Sequence, residues 1–590
     1  LSIPSVSLPF DDSRRLTGCN LYFDGVGAVL ETVGVAIDDA LLEGWRARTQ
    51  LACRALGWGD AALVVRRHAG GAALAFEATI DQLFSATEVN EWAWLATLAT
   101  AHAVDAGLHA PGHPAAWDEA SALHTLRAFA AAECQPELPA LLRAAETRGL
   151  AALIDDEVFS IGEGTGGRSW PLKDIPAIDA VPWTALHDVP VALVTGSNGK
   201  TTTVRLLAAI AQAHGWHAGH SCTDGVFVDG RAIDSGDFSG PAGAREVLRQ
   251  PRVEVAVLET ARGGILRRGL AVQRANVAVV TNVSDDHFGE YGIHDLNGLA
   301  SVKLTVARVL GADGLLVVNA DDAVLAAQAT ALSVPLGWFA LDDAHPLLRV
   351  SREQGGSTCG MRDGHLHLFH QGVDHDLGVV TQMPLSFAGS AGYNIANIAA
   401  AALAAAALGI PARTIADVLA RFGSAHADNP GRLQHWRFGT LQVFVDYAHN
   451  PEGLRGLLGV ATTSLGHGRL GLVLGQAGNR EDADIRELAT VAASFHPRRV
   501  VLKDIEGFMR GRVAGEIAGI LRNELVRHGV PAEAVIECLD ELDAARGLLA
   551  WAHDDDVLVL PTHGVAARQA VVDLLDRLQL ANWHAGMSMP

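Results

Sequence analysis

A short apolar, β-branched run, Val191 to Val194, leads directly into Thr195-Gly-Ser-Asn-Gly-Lys-Thr-Thr202 and then into an apolar helical pattern. That order constrains the fold more than any other stretch, because it predicts a buried strand, a tight turn and a helix start in succession. Gly196 and Gly199 let the backbone turn and bring N–H groups close to an anion. Lys200 supplies a point charge, and Thr201 a hydroxyl for Mg²⁺. The general phosphate-loop pattern places a glycine where this chain has Val194, so the match is to a shorter G-x-x-G-K-T loop. In a surface turn the same residues would mean nothing. With a strand before and a helix after, they predict a nucleoside triphosphate site.

A chain of 590 residues is too long for one core and predicts about three or four domains. Lys and Arg total 45 against 67 Asp and Glu, a formal charge of -22 that argues against a general nucleic-acid or anionic-membrane binder. The cysteines Cys19, Cys53, Cys134, Cys222, Cys359 and Cys538 are scattered without metal-type spacing, which points to reduced thiols. The opening Leu1-Ser-Ile-Pro4 lacks the basic and apolar regions of a leader, and the Ala-rich segment Ile398 to Leu408 is too short to span a bilayer. A cytoplasmic protein with no membrane partner is expected.

Strand-like pieces at Ala61 to Val65 and Ala72 to Ala78, with a helical segment from Glu88, describe an α+β N-terminal domain over 1–160. Glycines and prolines between Gly162 and Ala185 suggest a linker over 161–188. From 189 to 428 strands alternate with helices at Val191 to Val194, Val253 to Leu258, Asn276 to Thr281 and Gly314 to Asn319. That alternation predicts βαβ units and a mostly parallel sheet, with a β-like insertion between about 335 and 390. A second, Rossmann-like α/β set follows over 429–590, with strands at Gln442 to Asp446, Gly471 to Gly475, Val500 to Lys503 and Val557 to Leu560. The expected class is therefore multidomain α/β.

A phosphate-loop site next requires acidic groups at strand ends to hold a metal. Val255 to Leu258 ends in Glu259 before the turn Thr260-Ala-Arg-Gly-Gly264, although a solvated glutamate would have the same local sequence. A second strand ends in Val283-Ser-Asp-Asp-His287, placing Asp286 and His287 beside the loop strand. Lys303 reads as an ordinary helix lysine, and Asn394 as the cap of a helix that also carries Asn397. Arg432 stands at the second boundary, within reach of phosphate from another domain. Asp446-Tyr-Ala-His-Asn-Pro451 ends a strand with groups suited to ribose or base, or to a structural turn.

In this order the motifs resemble the Mur ligase superfamily of ATP-dependent amide-forming enzymes, over roughly 190 to 590. The cyanophycin synthetase branch is the most similar. Glu259-Thr-Ala-Arg-Gly-Gly-Ile-Leu-Arg267 looks like its metal-glutamate turn, and Arg14 to Tyr22 and Ala86 to Trp92 look like its first domain. That branch carries an ATP-grasp domain between the two. Here only a short linker separates them, and Val158 to Gly164 resembles that domain's opening. The resemblance implies ATP and Mg²⁺, with nucleotide contacts from Gly196, Asn198, Gly199, Lys200, Thr201, Thr202, Asn394, Arg432, Asp446 and His449. It also implies Mg²⁺ ligation by Thr201, Glu259 and His287, and catalytic roles for Lys200, Glu259, His287 and Lys303. Lys303 falls where many members carry a carbamylated lysine.

The implied activity joins an acid to an amino acid or amine through an acyl phosphate, on a small-molecule or peptide substrate of aspartyl–arginyl type. A homo-oligomer with no nucleic-acid partner is expected. Two alternatives stand beside it: an amidating ligase fed by a glutaminase partner, and a catalytically silent nucleotide-binding scaffold.

Overall fold

The computed structural model describes residues 8–102, 118–285 and 288–589. The N-terminal region opens with a four-stranded antiparallel sheet in the order Phe10–Leu16, Gly27–Thr32, Gly71–Glu77, Leu63–His68. The helices Asp39–Leu56 and Leu83–His102 pack on it around the buried Trp45, Trp92 and Trp94. The first of these helices starts where Asp38 accepts from Leu41 N–H, and stops at the left-handed Gly57.

The Gly- and Pro-rich stretch that reads as a linker is ordered at its start. Val158–Ile161 forms the middle strand of a small antiparallel sheet between Ala152–Ile154 and Arg168–Pro171. Phe159 and Ile161 alternate inward and close a satellite core with Leu138 and Leu141 of the helix Glu137–Thr147.

The large central sheet has eleven strands. Its parallel body runs Ala218–Cys222, Val255–Glu259, Val191–Thr195, Ala275–Val280, Leu310–Asn319, Leu336–Asp342, Thr358–Arg362. Antiparallel pairs extend both edges: Gly225–Val228 with Arg231–Ser235, and His365–His370 with Val373–Val379. The irregular region after residue 335 is thus one edge of this same sheet. Every residue of Val191–Thr195 is buried, because helices cover both faces; this is why it reads as an uninterrupted apolar run. The Ala-rich helix Gly392–Ala407 packs on the helix Lys200–His214 that follows the glycine-rich loop, its alanines letting the two backbones approach. From Val191–Thr195 the chain moves to one side and later returns to the other, so the loop after this strand opens into the crevice where the strand order reverses.

The C-terminal sheet runs Gln434–Phe438, Leu441–Asp446, Val557–Pro561, Leu470–Leu474, Arg499–Leu502, Val535–Glu537, parallel except for its first strand. Separate apolar cores cover its two faces. No helix among the described residues is long and apolar enough to cross a membrane.

One core histidine sets an acid limit on this fold. His220, in the strand Ala218–Cys222, stacks on Phe227 with ring centroids 4.8 Å apart, and its Nδ1 has no hydrogen-bond partner. Burial first, and Arg205 second, push its pKa down to about 3. An unfolded histidine titrates near ~6.5, so below that pH the unfolded chain binds the extra proton and stability falls, by at most about 1.4 kcal/mol per pH unit. His220→Phe keeps the stack and removes this contribution. Its urea midpoint is expected to drop less between pH 7 and 5 than that of the parent; parallel curves would exclude His220 as the cause.

Candidate active site

Gly196 and Gly199 adopt φ of 148° and 86°, a region L side chains avoid. A Cβ on Gly196 would lie 1.8 Å from Thr281 Oγ1, and one on Gly199 2.1 Å from Asn397 Oδ1, so the loop also needs glycine for space. Gly199 is the N-cap of Lys200–His214, and no side chain caps that helix end. Neighbouring strand tips pin the loop. Asn282 Oδ1 accepts from Asn198 N–H at 2.9 Å, and Thr281 Oγ1 donates to Asn198 O at 2.6 Å. Lys200 Nζ folds over the loop and donates to Gly196 O and Ser197 O, each at 3.0 Å.

The carboxylate beside this loop is Glu259, 1% exposed at the tip of its strand. Thr201 Oγ1 donates to Glu259 Oε2 at 2.8 Å, and Thr223 Oγ1 donates to Oε1 at 3.0 Å. A buried carboxylate and a threonine hydroxyl side by side form an oxygen-only donor set that suits a hard cation such as Mg²⁺. Asp286 and His287 lie outside the described residues.

Two cavities meet at the loop. One, of about 540 Å³, is lined by Asn198 to Thr202 with Asn394, Arg432, Asp446 and His449. The other, of about 610 Å³, is lined by Gly196, Lys303, Arg262, His449 and residues of all three regions. Lys200, Thr223 and Glu259 line both. All the described residues singled out in the sequence therefore border one or both cavities. Lys303 is buried, 2% exposed, on the helix Leu296–Lys303.

Asn394 does not cap its helix. Ala391 holds that position, and Asn394 Nδ2 donates inward to Leu385 O at 3.0 Å while its Oδ1 accepts from Asn397 Nδ2 at 3.2 Å. The helix begins two residues before Asn394, at Gly392, and this turns the asparagine into the buried junction. Asp446 accepts from Leu433 N–H at 2.6 Å, and burial raises its pKa. The Arg432 guanidinium lies over the Tyr447 ring, 4.4 Å from its centroid.

Asp224 went unread in the sequence, yet it joins the two α/β units. It sits in the turn after Ala218–Cys222 and pairs with Arg205 at 2.7 Å, with Arg568 of the last helix, and with Arg432 at 3.8 Å. Burial opposes its charge, but Arg432, Arg568 and Arg205 outweigh that and hold its carboxyl below the usual range. A second bridge joins Asn198 Oδ1 to Asn450 Nδ2 at 3.0 Å. Behind the turn 446–451, the buried Lys503 pairs with Glu541 and donates to His563 Nδ1 at 3.1 Å. His563 Nε2 donates to Ala448 O at 3.0 Å, an arrangement that requires a neutral imidazole; burial and Lys503 hold its pKa well below the ordinary value. For Asp224, Lys503 and His563 the sequence signal was a polar residue just past a buried strand, whereas Glu541 and Arg568 sit in helices and gave none.

Two segments of the chain match family models of known proteins. Residues 194–405 match the Mur ligase middle domain, and residues 431–562 the Mur ligase, glutamate ligase domain. The cyanophycin synthetase of Synechocystis sp. is 35% identical over 63% of this chain and 42% of its own length. The UDP-N-acetylmuramoyl-L-alanyl-D-glutamate–2,6-diaminopimelate ligase of Xanthomonas campestris is 29% identical over 64% of this chain and 73% of its own. The Mycobacterium tuberculosis folylpolyglutamate synthase complexed with ADP aligns with a TM-score of 0.49 and 19% identity, over 66% of this chain and 90% of that one. The chain spans less than half the length of the curated cyanophycin synthetases it matches. With both Mur ligase domains matched in order across more than half of its length, the chain belongs to the Mur ligase family.

Proposed function

We propose that this protein is an ATP-dependent carboxylate–amine ligase that forms a peptide or isopeptide bond through an acyl phosphate. The observation that carries the reading is the junction: Lys200 and Glu259 border both a nucleotide-sized cavity and a second, larger cleft. A nucleotide held by Asn198 to Thr202, Asn394 and Arg432 would present its terminal phosphate at that junction.

A carboxylate is a poor acylating agent because oxide does not leave at neutral pH. In-line attack of the acid's oxygen on the γ-phosphate forms an O–P bond, breaks the bond to ADP and yields an acyl phosphate. Lys200 and the loop N–H groups would neutralise the charge that develops on the phosphoryl oxygens. An amine then attacks the carbonyl carbon, phosphate departs with the electron pair, and the amine loses a proton. Thr201 and Glu259 would hold Mg²⁺, with His287 implied as a third ligand; the ion would supply further charge neutralisation. The bridges from Asn198 to Asn450 and from Asp224 to Arg432 and Arg568 would keep the C-terminal unit closed over the acyl phosphate and exclude water.

The test is ADP release across pairs of acids and amines, with the product's mass measured. Aspartyl and arginyl compounds come first, because of the similarity to cyanophycin synthetase. Sustained ADP release that needs both partners and yields their joined product supports the ligase, and ADP release that does not depend on the acid, or that never yields a joined product, excludes it. Glu259→Gln keeps the size; its Oε1 can still accept from one of the two threonine hydroxyls while its Nε2 donates to the other. It is expected to raise the Mg²⁺ concentration for half-maximal activity by about tenfold or more, with little change in melting temperature. An unchanged Mg²⁺ titration would remove Glu259 from the metal site.

A further inference from the structure

The larger cleft has a wall that the ligase reading does not use. The N-terminal strand Phe10–Leu16 and the loop after it dock on the helix Arg262–Arg268: Arg14 Nε donates to Leu266 O at 2.8 Å, Thr17 N–H to Arg268 O at 2.8 Å, and Leu270 N–H to Cys19 O at 2.7 Å. The seam is tight, since a Cβ on Gly18 would lie 2.0 Å from Leu270 O. It brings Arg15, Thr17, Arg245 and Arg268 to one end of the cleft.

The charges there do not balance. Asp156 is taken by Arg15 at 2.8 Å, and Asp155 by Arg249. Neither Arg245 nor Arg268 has an ion-pair partner among the described residues. Arg245 is 9% exposed, its Nη2 donates to Thr17 Oγ1 at 3.1 Å, and its Nε has no hydrogen-bond partner. Arg268 Nη1 reaches only backbone carbonyls, those of Arg15 at 3.3 Å and Arg267 at 3.4 Å. Burial first, with the neighbouring charges of Arg249 and Arg268, outweighs Asp155 and Asp156 and holds the Arg245 guanidinium below its ordinary pKa. A buried, under-paired guanidinium facing a cavity is costly unless an anion completes it. In a chain with formal charge -22 such a site stands out from the general surface.

We propose that Arg245 and Arg268, with Thr17, form a carboxylate-binding subsite that holds a second acidic group of the substrate acid. The inference rests on the ligase reading, and it specifies the substrate class: a di- or oligocarboxylate, such as an acidic peptide, with one carboxylate at the Lys200–Glu259 junction and another against the arginines. Guanidinium suits a carboxylate because its fork can donate two parallel hydrogen bonds. The N-terminal region then acts in acid recognition, since it supplies Thr17 and positions Arg268.

The probe is N-acetyl-Asp-Asp, titrated calorimetrically into the full chain with and without ADP, beside N-acetyl-Asn-Asn amide and inorganic phosphate. The acidic peptide is expected to bind and to weaken with salt. Arg245→Gln and Arg268→Gln should each weaken it about tenfold or more, Arg245→Lys and Arg268→Lys less, with ADP affinity unchanged throughout. Arg268 is the less buried of the two, so its variants remain informative if Arg245→Gln fails to fold. Equal binding of the uncharged amide, tighter binding of phosphate than of the peptide, or unchanged affinity in the Arg268 variants would overturn the subsite. Arginine-dependent peptide binding without ADP release from any acid and amine pair would instead overturn the ligase reading alone.

Discussion

Lys200→Ala is expected to reduce acid-dependent ADP formation by about a thousandfold while leaving the fold intact. The ammonium is held at 3.0 Å from both Gly196 O and Ser197 O, directly over the loop, so it is already placed where phosphate oxygens would compete for it. Removing one preorganised donor from a developing oxyanion costs ~10²–10³ in rate, and here a full positive charge goes with it. Stability should barely change. Lys200 opens the helix Lys200–His214, where alanine is at least as good a helix former, and its hydrogen bonds go to its own loop. ADP release under single-turnover conditions, with a melting curve as control, decides the matter. Turnover at the parental rate would remove this loop from the phosphoryl-transfer step.

Asp224→Asn should have the second largest effect, and it acts on the relation between two units instead of on chemistry. Asp224 is the shared counter-charge of Arg205, Arg432 and Arg568, with a side chain only 8% exposed. The amide cannot neutralise three buried guanidiniums, and breaking a buried ionic cluster by removing one partner costs about 3–5 kcal/mol. Arg205 belongs to the central unit, while Arg432 and Arg568 belong to the C-terminal one, so much of that cost falls on their contact. The expected result is a larger radius of gyration by small-angle scattering, a lower melting temperature and nucleotide affinity weakened about tenfold or more. Asp224→Glu should recover part of each. An unchanged scattering profile and melting curve in Asp224→Asn would show that the cluster does not hold the units together.

The two variants mark how far the sequence could be read. The strand, glycine-rich loop and helix from Val191 to His214 were legible because their parts are local: a strand buried on both faces must be continuously apolar, and a turn with two positive-φ positions favours glycine there. The same holds for the parallel strands of both α/β units, whose apolar runs stop at polar tips such as Glu259 and Asp446. Asn394 misled because a helix boundary is poorly specified locally, and a start at Gly392 turned a presumed cap into a buried donor. The first glycines of the stretch after 161 suggested a linker, yet the alternating Phe159 and Ile161 beside them belong to a small sheet.

Residue type, spacing and periodicity alone determined the α/β class, the position of the glycine-rich loop and the carboxylate at the neighbouring strand tip. Each follows from backbone sterics or from burial within one or two consecutive elements. Tertiary structure alone decided that Asp224 meets Arg432 and Arg568, that Lys503, Glu541 and His563 support Ala448, and that Thr17 meets Arg245. These contacts join residues far apart in the chain, and a single charged side chain past a strand looks the same whether it is solvated or buried in a cluster. Only the packing of one unit on another removes the water and makes each charge depend on a partner.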